Sequence, residues 1–448
     1  MIFLIIELLS NYSITNKNGQ MNIIQKYVKS LFASELKKNT LNLVSANTIS
    51  QGISLIVYPF ITRIYSPEEF GAYSIFLTIC GIFLILSTGR YESAILLPKS
   101  QKDAIAVFHL CITISFYLCI SIFLIILFFK NYILSLLSIE ILGKFIYFIP
   151  IVIFLNAITI LLIYWFNRNK QFQLTARYNI AQSLCTNFFK LGFGKIGLTK
   201  FGLIISTFLG YIAAILSVIF SKKGHLKKLF RYDKIRIKKV AKIYQNYPRY
   251  TLIHAFVDML SNSLPSLIFA TFFGTHIVGI YSLVMAIGFR PINLITGSFN
   301  QIFFQQISSL YNKKQSIYPI LSKFCTYAFI VLLPLFLTIY FLSSTIINNL
   351  FGNDWSEAIS ILNILLPWFF VSVFAGTFCF IPSIFFKQKI AMILEIGCAI
   401  VRLIAILIGI FWNNYLLSII CYSFVSTLYI IILLFWYNSI IRNYEKQL

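Results

Sequence analysis

The chain has 448 residues, of which 59% are hydrophobic and only 11% charged, and its mean hydropathy is +0.84. A globular domain carries about 25% charged residues and a disordered segment is poor in apolar ones, so both classes are excluded and the chain is read against lipid. The 37 Lys and Arg against 13 Asp and Glu give +24, a balance that in a soluble protein points to nucleic acid; where the charges sit decides what they mean.

Residues 1–41 read as a cytoplasmic N-terminal segment. Its first nine residues are apolar but lack a preceding basic region, so they fit neither a signal peptide nor a span. Met21 opens the amphipathic stretch MNIIQKYVKSLFASELKKN and is a candidate start alongside Met1, with residues 1–20 as an upstream extension. A helix needs about 20 apolar residues to cross a bilayer. Twelve stretches qualify: 42–64, 71–97, 106–128, 144–166, 178–197, 201–221, 250–273, 278–306, 318–342, 357–385, 388–411 and 415–437. The fifth is the least apolar and holds Lys190. Long unbroken apolar runs such as 120–129 are those of helices, not of the alternating strands of a barrel.

Short cytoplasmic loops retain Lys and Arg. With the N-terminus inside, 27 of the 37 basic residues fall on the cytoplasmic side and four (Lys130, Lys144, Lys195, Lys200) on the outer side. An even number of helices with both termini cytoplasmic follows, the last segment, 438–448, being a tail. Most of the +24 is therefore a topology signal. Its densest part, 222–249, is a basic cytoplasmic linker, either a solvated loop or an amphipathic segment along the anionic inner leaflet. No recognition module accompanies its lysines, so nucleic acid is not a partner.

The linker separates two sets of six spans, 42–221 and 250–437. Within them Phe70-Gly71-Ala72-Tyr73-Ser74 and Val278-Gly279-Ile280-Tyr281-Ser282 stand 208 residues apart, each opening the second span of its set. An even number of spans per unit gives both units one orientation, hence a parallel repeat about an axis along the membrane normal. Seven of the eleven prolines lie in the interior of spans (Pro59, Pro150, Pro265, Pro291, Pro334, Pro367, Pro382), where proline bends a helix. The eight cysteines fall within spans with no CxxC or Cys/His cluster, so no metal is expected. No nucleotide-binding loop, HExxH or G-x-S-x-G motif occurs, and outer loops are short; no cofactor and no enzymatic chemistry are expected.

From 39 to 102 the chain reads NTLNLVSANTISQGISLIVYPFITRIYSPEEFGAYSIF, then TGRYESAILLPKSQKDA. TRIYSPEEFGAYS (62–74) and GRYESAILLPKS (89–100), with FFGTHIVGIYSL (272–283) and SFNQIFFQQIS (298–308) in the second half, closely resemble the polysaccharide flippases of the O-antigen (Wzx) type. That superfamily also holds the multidrug and toxic-compound (MATE) exporters and the lipid II flippases, the latter usually with fourteen helices. The resemblance implies an all-α, MATE-like membrane protein of about twelve helices in two six-helix lobes, in the bacterial inner membrane. It implies the turning of undecaprenyl-diphosphate-linked oligosaccharides to the outer leaflet, alongside membrane lipids, a polysaccharide polymerase and glycosyltransferases. A drug or cation antiporter of the same superfamily and a membrane polymerase or ligase are the alternative readings.

Charges in mid-membrane are costly and mark candidate sites. The cavity cations suited to a diphosphate are Arg290, beside Pro291 near the middle of the eighth span, and Lys190, followed by Arg90 and Arg402; arginine has the geometry for bidentate phosphate contacts. Gating or ion coupling falls to Asp258, Glu92, Glu395 and His254. Asp258 pairs with Arg290 or serves as a proton or cation site, with His254 one turn away as a titrating neighbour. Arg90 and Glu92, two apart on a helix, face different directions, whereas Glu395 and Arg402, seven apart, share a face; a charge network between the second and eleventh spans is the alternative to a gate. Arg63 and Lys323 extend to the headgroups, and Glu68 and Glu69 solvate an outer turn.

Overall fold

A computed structural model describes residues 35–137, 139–221, 229 and 233–448. Most of the N-terminal segment, both candidate starts, and residues 222–228 and 230–232 of the linker lie outside the described residues. The described residues are nearly all helical, without a strand. The helices are α1 (Glu35–Thr62), α2 (Pro67–Ser87), α3 (Gln101–Leu136), α4 (Phe148–Arg168), α5 (Phe172–Lys195) and α6 (Thr199–Ser221), then α7 (Lys234–Ile243) in the linker. After it come α8 (Leu252–Asn312), α9 (Tyr318–Ile346), α10 (Ala358–Phe378), the short α11 (Ile381–Ile384), α12 (Gln388–Phe411) and α13 (Tyr415–Glu445).

Nine described helices are long and apolar enough to cross a membrane. The 61-residue α8 counts there once, but Gly274 breaks it at φ 81° and ψ 174°, so its arms, 252–273 and 275–312, are two crossings. With α1 and the more polar α5, the bundle has twelve. Only glycine adopts that backbone conformation without strain, which is why the expected turn at 274–277 shrinks to one residue.

Several predicted boundaries move. The second span was expected to reach 97, but α2 stops at Ser87: Gly89 and Arg90 both take φ 60°, and Tyr91–Leu96 continues as a 3-10 turn. At its start, Ser66 and Glu69 form a reciprocal capping box, so the helix begins four residues early. The tenth span divides at 379–380 into α10 and α11, which places Cys379 in an exposed break instead of a span. Residues 438–445 of the expected tail continue α13, where Glu445 Oε1 accepts from the Ile317 and Tyr318 amides at the start of α9.

Helices α1–α6 pack as one lobe, with α5 against α1 and α6, and α4 against α2 and α3; α8–α13 pack as the other, with α10 against α8 and α13, and α12 against α13. Small polar residues bring helices close in lipid: Ser183 Oγ donates to the Ser50 carbonyl at 2.7 Å, and Asn187 Nδ2 to Ser54 Oγ at 3.2 Å. Between lobes the main contact is α2 against α8, and it is symmetric. Ser74 and Ser282, 208 apart, share a hydrogen bond of 2.6 Å, and Glu68 meets His276, also 208 apart, at 2.6 Å. A Cβ on Gly71 would overlap the Thr275 carbonyl, and one on Gly279 the Pro67 carbonyl, again the same pair of repeat positions. Residues that contact their own repeat equivalents lie on the pseudo-twofold axis.

The core follows the same geometry. One cluster joins both lobes, with Phe70, Ile75 and Phe76 packed among Val278, Tyr281 and Trp355. Toward the linker end the core divides in two: Phe108, Trp165, Leu229 and Val240 on one side, Phe303, Phe378, Ile384 and Tyr437 on the other. Among the described residues the bundle is thus sealed at the end away from the linker and parted at the linker end.

Candidate substrate-binding site

The lobes meet around two cations. The Arg290 guanidinium, on the second arm of α8, lies 4.6 Å from the ring centre of Tyr58 on α1. Lys190 Nζ, on α5, lies 4.8 Å from the ring of Tyr73 on α2. The two cations are near enough to feel each other's charge. Tyr73 is buried and shares a 2.7 Å hydrogen bond with Thr207 on α6, which fixes its ring. Each cation therefore faces an aromatic ring, worth about 0.5–2 kcal/mol as a cation–π contact, and neither has a carboxylate partner among the described residues. No carboxylate among the described residues thus competes with an incoming anion for either side chain.

The second lobe repeats the arrangement. Arg402, on α12, lies 5.7–5.9 Å from the rings of Trp368, Tyr422 and Tyr429 and donates from Nε to Ser426 Oγ at 2.9 Å. It also acts electrostatically on Tyr281, the repeat equivalent of Tyr73. Each lobe thus sets one cation from its fifth crossing over aromatic rings, Lys190 over Tyr73 and Arg402 over Trp368, Tyr422 and Tyr429.

The remaining predicted residues fall elsewhere. Arg90 Nη1 pairs directly with Glu92 Oε1 at 3.3 Å; the left-handed turn at 89–90 replaces the helix on which they were expected to diverge. Glu92 is buried at 3% exposure and also accepts from Thr88 Oγ1. The pair is confined to the first lobe, so the network expected between the second and eleventh spans is not formed. Asp258 accepts from Asn262 at 3.1 Å instead of pairing with Arg290, whose side chain turns to Tyr58. His254, Asp258 and Glu395 do come together, with Arg249, in an open groove of about 310 Å³ between the first arm of α8 and α12.

The sealed end is polar. Trp355 Nε1 donates to the Thr62 carbonyl at 2.9 Å, and Arg63, expected to reach the headgroups, donates to the Asn349 carbonyl of the other lobe at 2.6 Å. His276 Nδ1 faces Glu68 at 2.6 Å and its Nε2 faces Glu357 at 3.4 Å, so one imidazole bridges carboxylates of both lobes. Glu69, expected only to solvate a turn, caps α2 and accepts from Thr199 Oγ1 at 2.6 Å.

A model of the polysaccharide biosynthesis protein family matches residues 60–360. The chain belongs to this family. No curated protein matches it by sequence. Its fold is that of the MATE transporters. An inward-facing multidrug resistance MATE family transporter of the MOP superfamily is 14% identical, with 90% of this chain and 96% of that one covered and a TM-score of 0.67. The lipid II flippase MurJ in an inward closed conformation is 16% identical over 89% of this chain and 90% of its own, at a TM-score of 0.66. A Vibrio cholerae MATE transporter is 15% identical, with 94% and 99% covered and a TM-score of 0.58.

In this polysaccharide biosynthesis protein, Tyr58, Trp368, Tyr422 and His276 are the residues that sequence reading missed. Nothing separates the three aromatics from the rest of a chain with 26 tyrosines and five tryptophans. His276 did carry a signal, since it is the repeat equivalent of Glu68, and an axis through the repeat brings such positions together.

Proposed function

We propose that this protein is a flippase that carries undecaprenyl-diphosphate-linked oligosaccharide repeat units across the bacterial inner membrane by alternating access. The observation that carries the reading is the pair Arg290 and Lys190, one from each lobe, held by tyrosines where the lobes meet and without a carboxylate partner among the described residues. A lipid-linked diphosphate supplies the missing negative charge: Arg290 offers two parallel N–H donors to phosphate oxygens and Lys190 a point charge. Membership of a polysaccharide biosynthesis family supports the glycan, and the excess of basic residues on one side supports a cytoplasmic linker end with both termini inside. On that orientation the parted end faces the cytoplasm, where the substrate is made, and the sealed end faces outward. The His254–Asp258–Glu395 groove is then the ion-coupling element, and the Arg90–Glu92 pair lies at the cytoplasmic rim as part of the gate. Arg402, enclosed by aromatics, lies in the second lobe as a further cavity cation. Glycosyltransferases and a polymerase act before and after it.

The test is Arg290→Ala, which abolishes surface polysaccharide and leaves lipid-linked units in the cytoplasmic leaflet, whereas Arg290→Lys retains part of the export. Normal surface polysaccharide in the alanine variant, at normal protein level, removes Arg290 from the substrate path.

A further inference from the structure

The linker helix α7 presents two faces of different chemistry. Ile237 and Val240, at 8% and 1% exposure, pack with Leu229 into the core of the first lobe. The docking is held by Arg236, which pairs with Asp103 at the start of α3 at 3.2 Å, and by Tyr91, whose hydroxyl donates to the Ala241 carbonyl at 3.2 Å. Asp233 caps the helix by accepting from the Arg236 amide. The opposite face has no partner among the described residues. On it Ile235 and Ile243 are 84% and 57% exposed, eight residues apart with Lys239 between them along one ridge, and Lys238 and Lys242 form the adjacent ridge, also exposed.

A solvated loop has no use for two isoleucines displayed at that level, and a protein-docking face is depleted in lysine. Isoleucines flanked by lysines on one side of a helix are what an anionic bilayer surface selects: the apolar side chains enter the headgroup boundary while the lysine stems extend to the phosphates. We infer that α7 is a lipid-headgroup sensor, its Ile235–Lys239–Ile243 face seated on anionic phospholipid while its other face anchors the first lobe. Its chain continues within ten residues into α8, so the first lobe and the helix that begins the second share one attachment to the bilayer surface. The inference rests on the linker end being the cytoplasmic end, as in the flippase reading, but its test involves no substrate.

The full-length protein carrying Ile243→p-benzoylphenylalanine is placed in nanodiscs of phosphatidylcholine with phosphatidylglycerol, and the photocrosslinked lipid is weighed by mass spectrometry. Phosphatidylglycerol is expected among the adducts at roughly fivefold its mole fraction, the preference that one lysine near the surface confers. Combining the probe with Lys238→Gln, Lys239→Gln and Lys242→Gln returns the ratio to the mole fraction. The same probe at Ile237, on the docked face, gives no lipid adduct. Absence of lipid adducts at 243, or adducts in proportion to composition in the otherwise unaltered chain, overturns the inference. Loss of polysaccharide export in the Arg290→Ala protein leaves this crosslink unchanged, so failure of one reading is distinguishable from failure of the other.

Discussion

Under the proposed alternating access, Gly71→Val acts on one conformation and spares the other. In the sealed state Gly71 and Gly279 cross so closely that a Cβ on either meets backbone of the facing helix, Thr275 on one side and Pro67 on the other. Backbone cannot swing aside as a side chain does, so the helices must part. Overpacking of this kind costs about 1–3 kcal/mol. Because the contact lies between lobes, the cost falls on the state in which this end is closed, while each lobe keeps its own packing. A free-energy change of that size shifts the balance between closed and open forms by a factor of about 5–150. Spin labels at Leu198 and Trp412, both exposed in turns at the sealed end and on different lobes, report the separation by pulsed dipolar spectroscopy in a background without the eight native cysteines. A longer-distance population is expected in Gly71→Val. Gly52→Ala, where a Cβ meets nothing within 4 Å, serves as the control and leaves the distribution unchanged. An unaltered distribution in Gly71→Val, with the protein folded, refutes the assignment of this crossing to the closed gate.

Three further outcomes follow from the same geometry. Tyr58→Phe keeps the ring over Arg290 and retains export, whereas Tyr58→Leu removes a contact of about 0.5–2 kcal/mol and lowers export at equal protein level; equal export in both dissociates Tyr58 from the site. His276→Ala removes the His276–Glu68 contact between the lobes, an exposed pair worth about 0.2–1 kcal/mol, and raises the open population at the sealed end by roughly 1.4- to fivefold in the same spin-label measurement; no rise would show that the contact carries no closure energy. Asp233 is held below the ordinary aspartate range by the Arg236 amide and then by the Arg236 guanidinium. A depressed carboxyl stabilises above its unfolded value and loses that contribution as pH falls through the folded one. Amide protection of α7 is therefore expected to hold down to about pH 4, the ordinary aspartate value, and to fall below it; Asp233→Asn, which cannot titrate, loses the part of this step that Asp233 supplies and keeps the Arg236–Asp103 contact.

The twelve crossings were legible because lipid imposes one rule, an apolar run of sufficient length, and the sequence obeys it even at α5, where Lys190 and several polar residues weaken the run. What hydropathy did not convey were the ends. Residues 88–97 are apolar enough to extend α2, yet Gly89 and Arg90 take a left-handed turn because the chain must fold back beneath α4, where Arg168 donates to the Ile95 and Pro98 carbonyls. Hydropathy measures the cost of leaving water and is silent on backbone handedness. The same limitation produced the error over Arg90 and Glu92: two residues apart on an α-helix diverge, but two apart across such a turn pair at 3.3 Å.

The repeat carried more of the site than its five-residue motif suggested. An offset of 208 between G-x-Y-S motifs states only that two helices are alike. Once the halves are parallel and their axis passes between those helices, the same offset predicts contacts: position 68 with 276, 71 with 279, 74 with 282. Two of these are hydrogen bonds and the third is a helix crossing with backbone against backbone. The motif is thus small for a physical reason. At the axis each residue packs against its own counterpart, so Gly71 and Gly279 must lack a side chain together, and Ser74 and Ser282 must be short and polar together. Away from the axis the copies are free to differ, and there Lys190 in one lobe answers to Arg402 in the other, each from a fifth crossing and each over aromatic rings. Symmetry sets the hinge on which the lobes close, and departure from symmetry leaves one lobe's cation beside Arg290 at the interface while the other is enclosed by Trp368, Tyr422 and Tyr429. On the flippase reading proposed above, a substrate with a diphosphate at one end and a glycan at the other calls for two halves that move alike and bind differently.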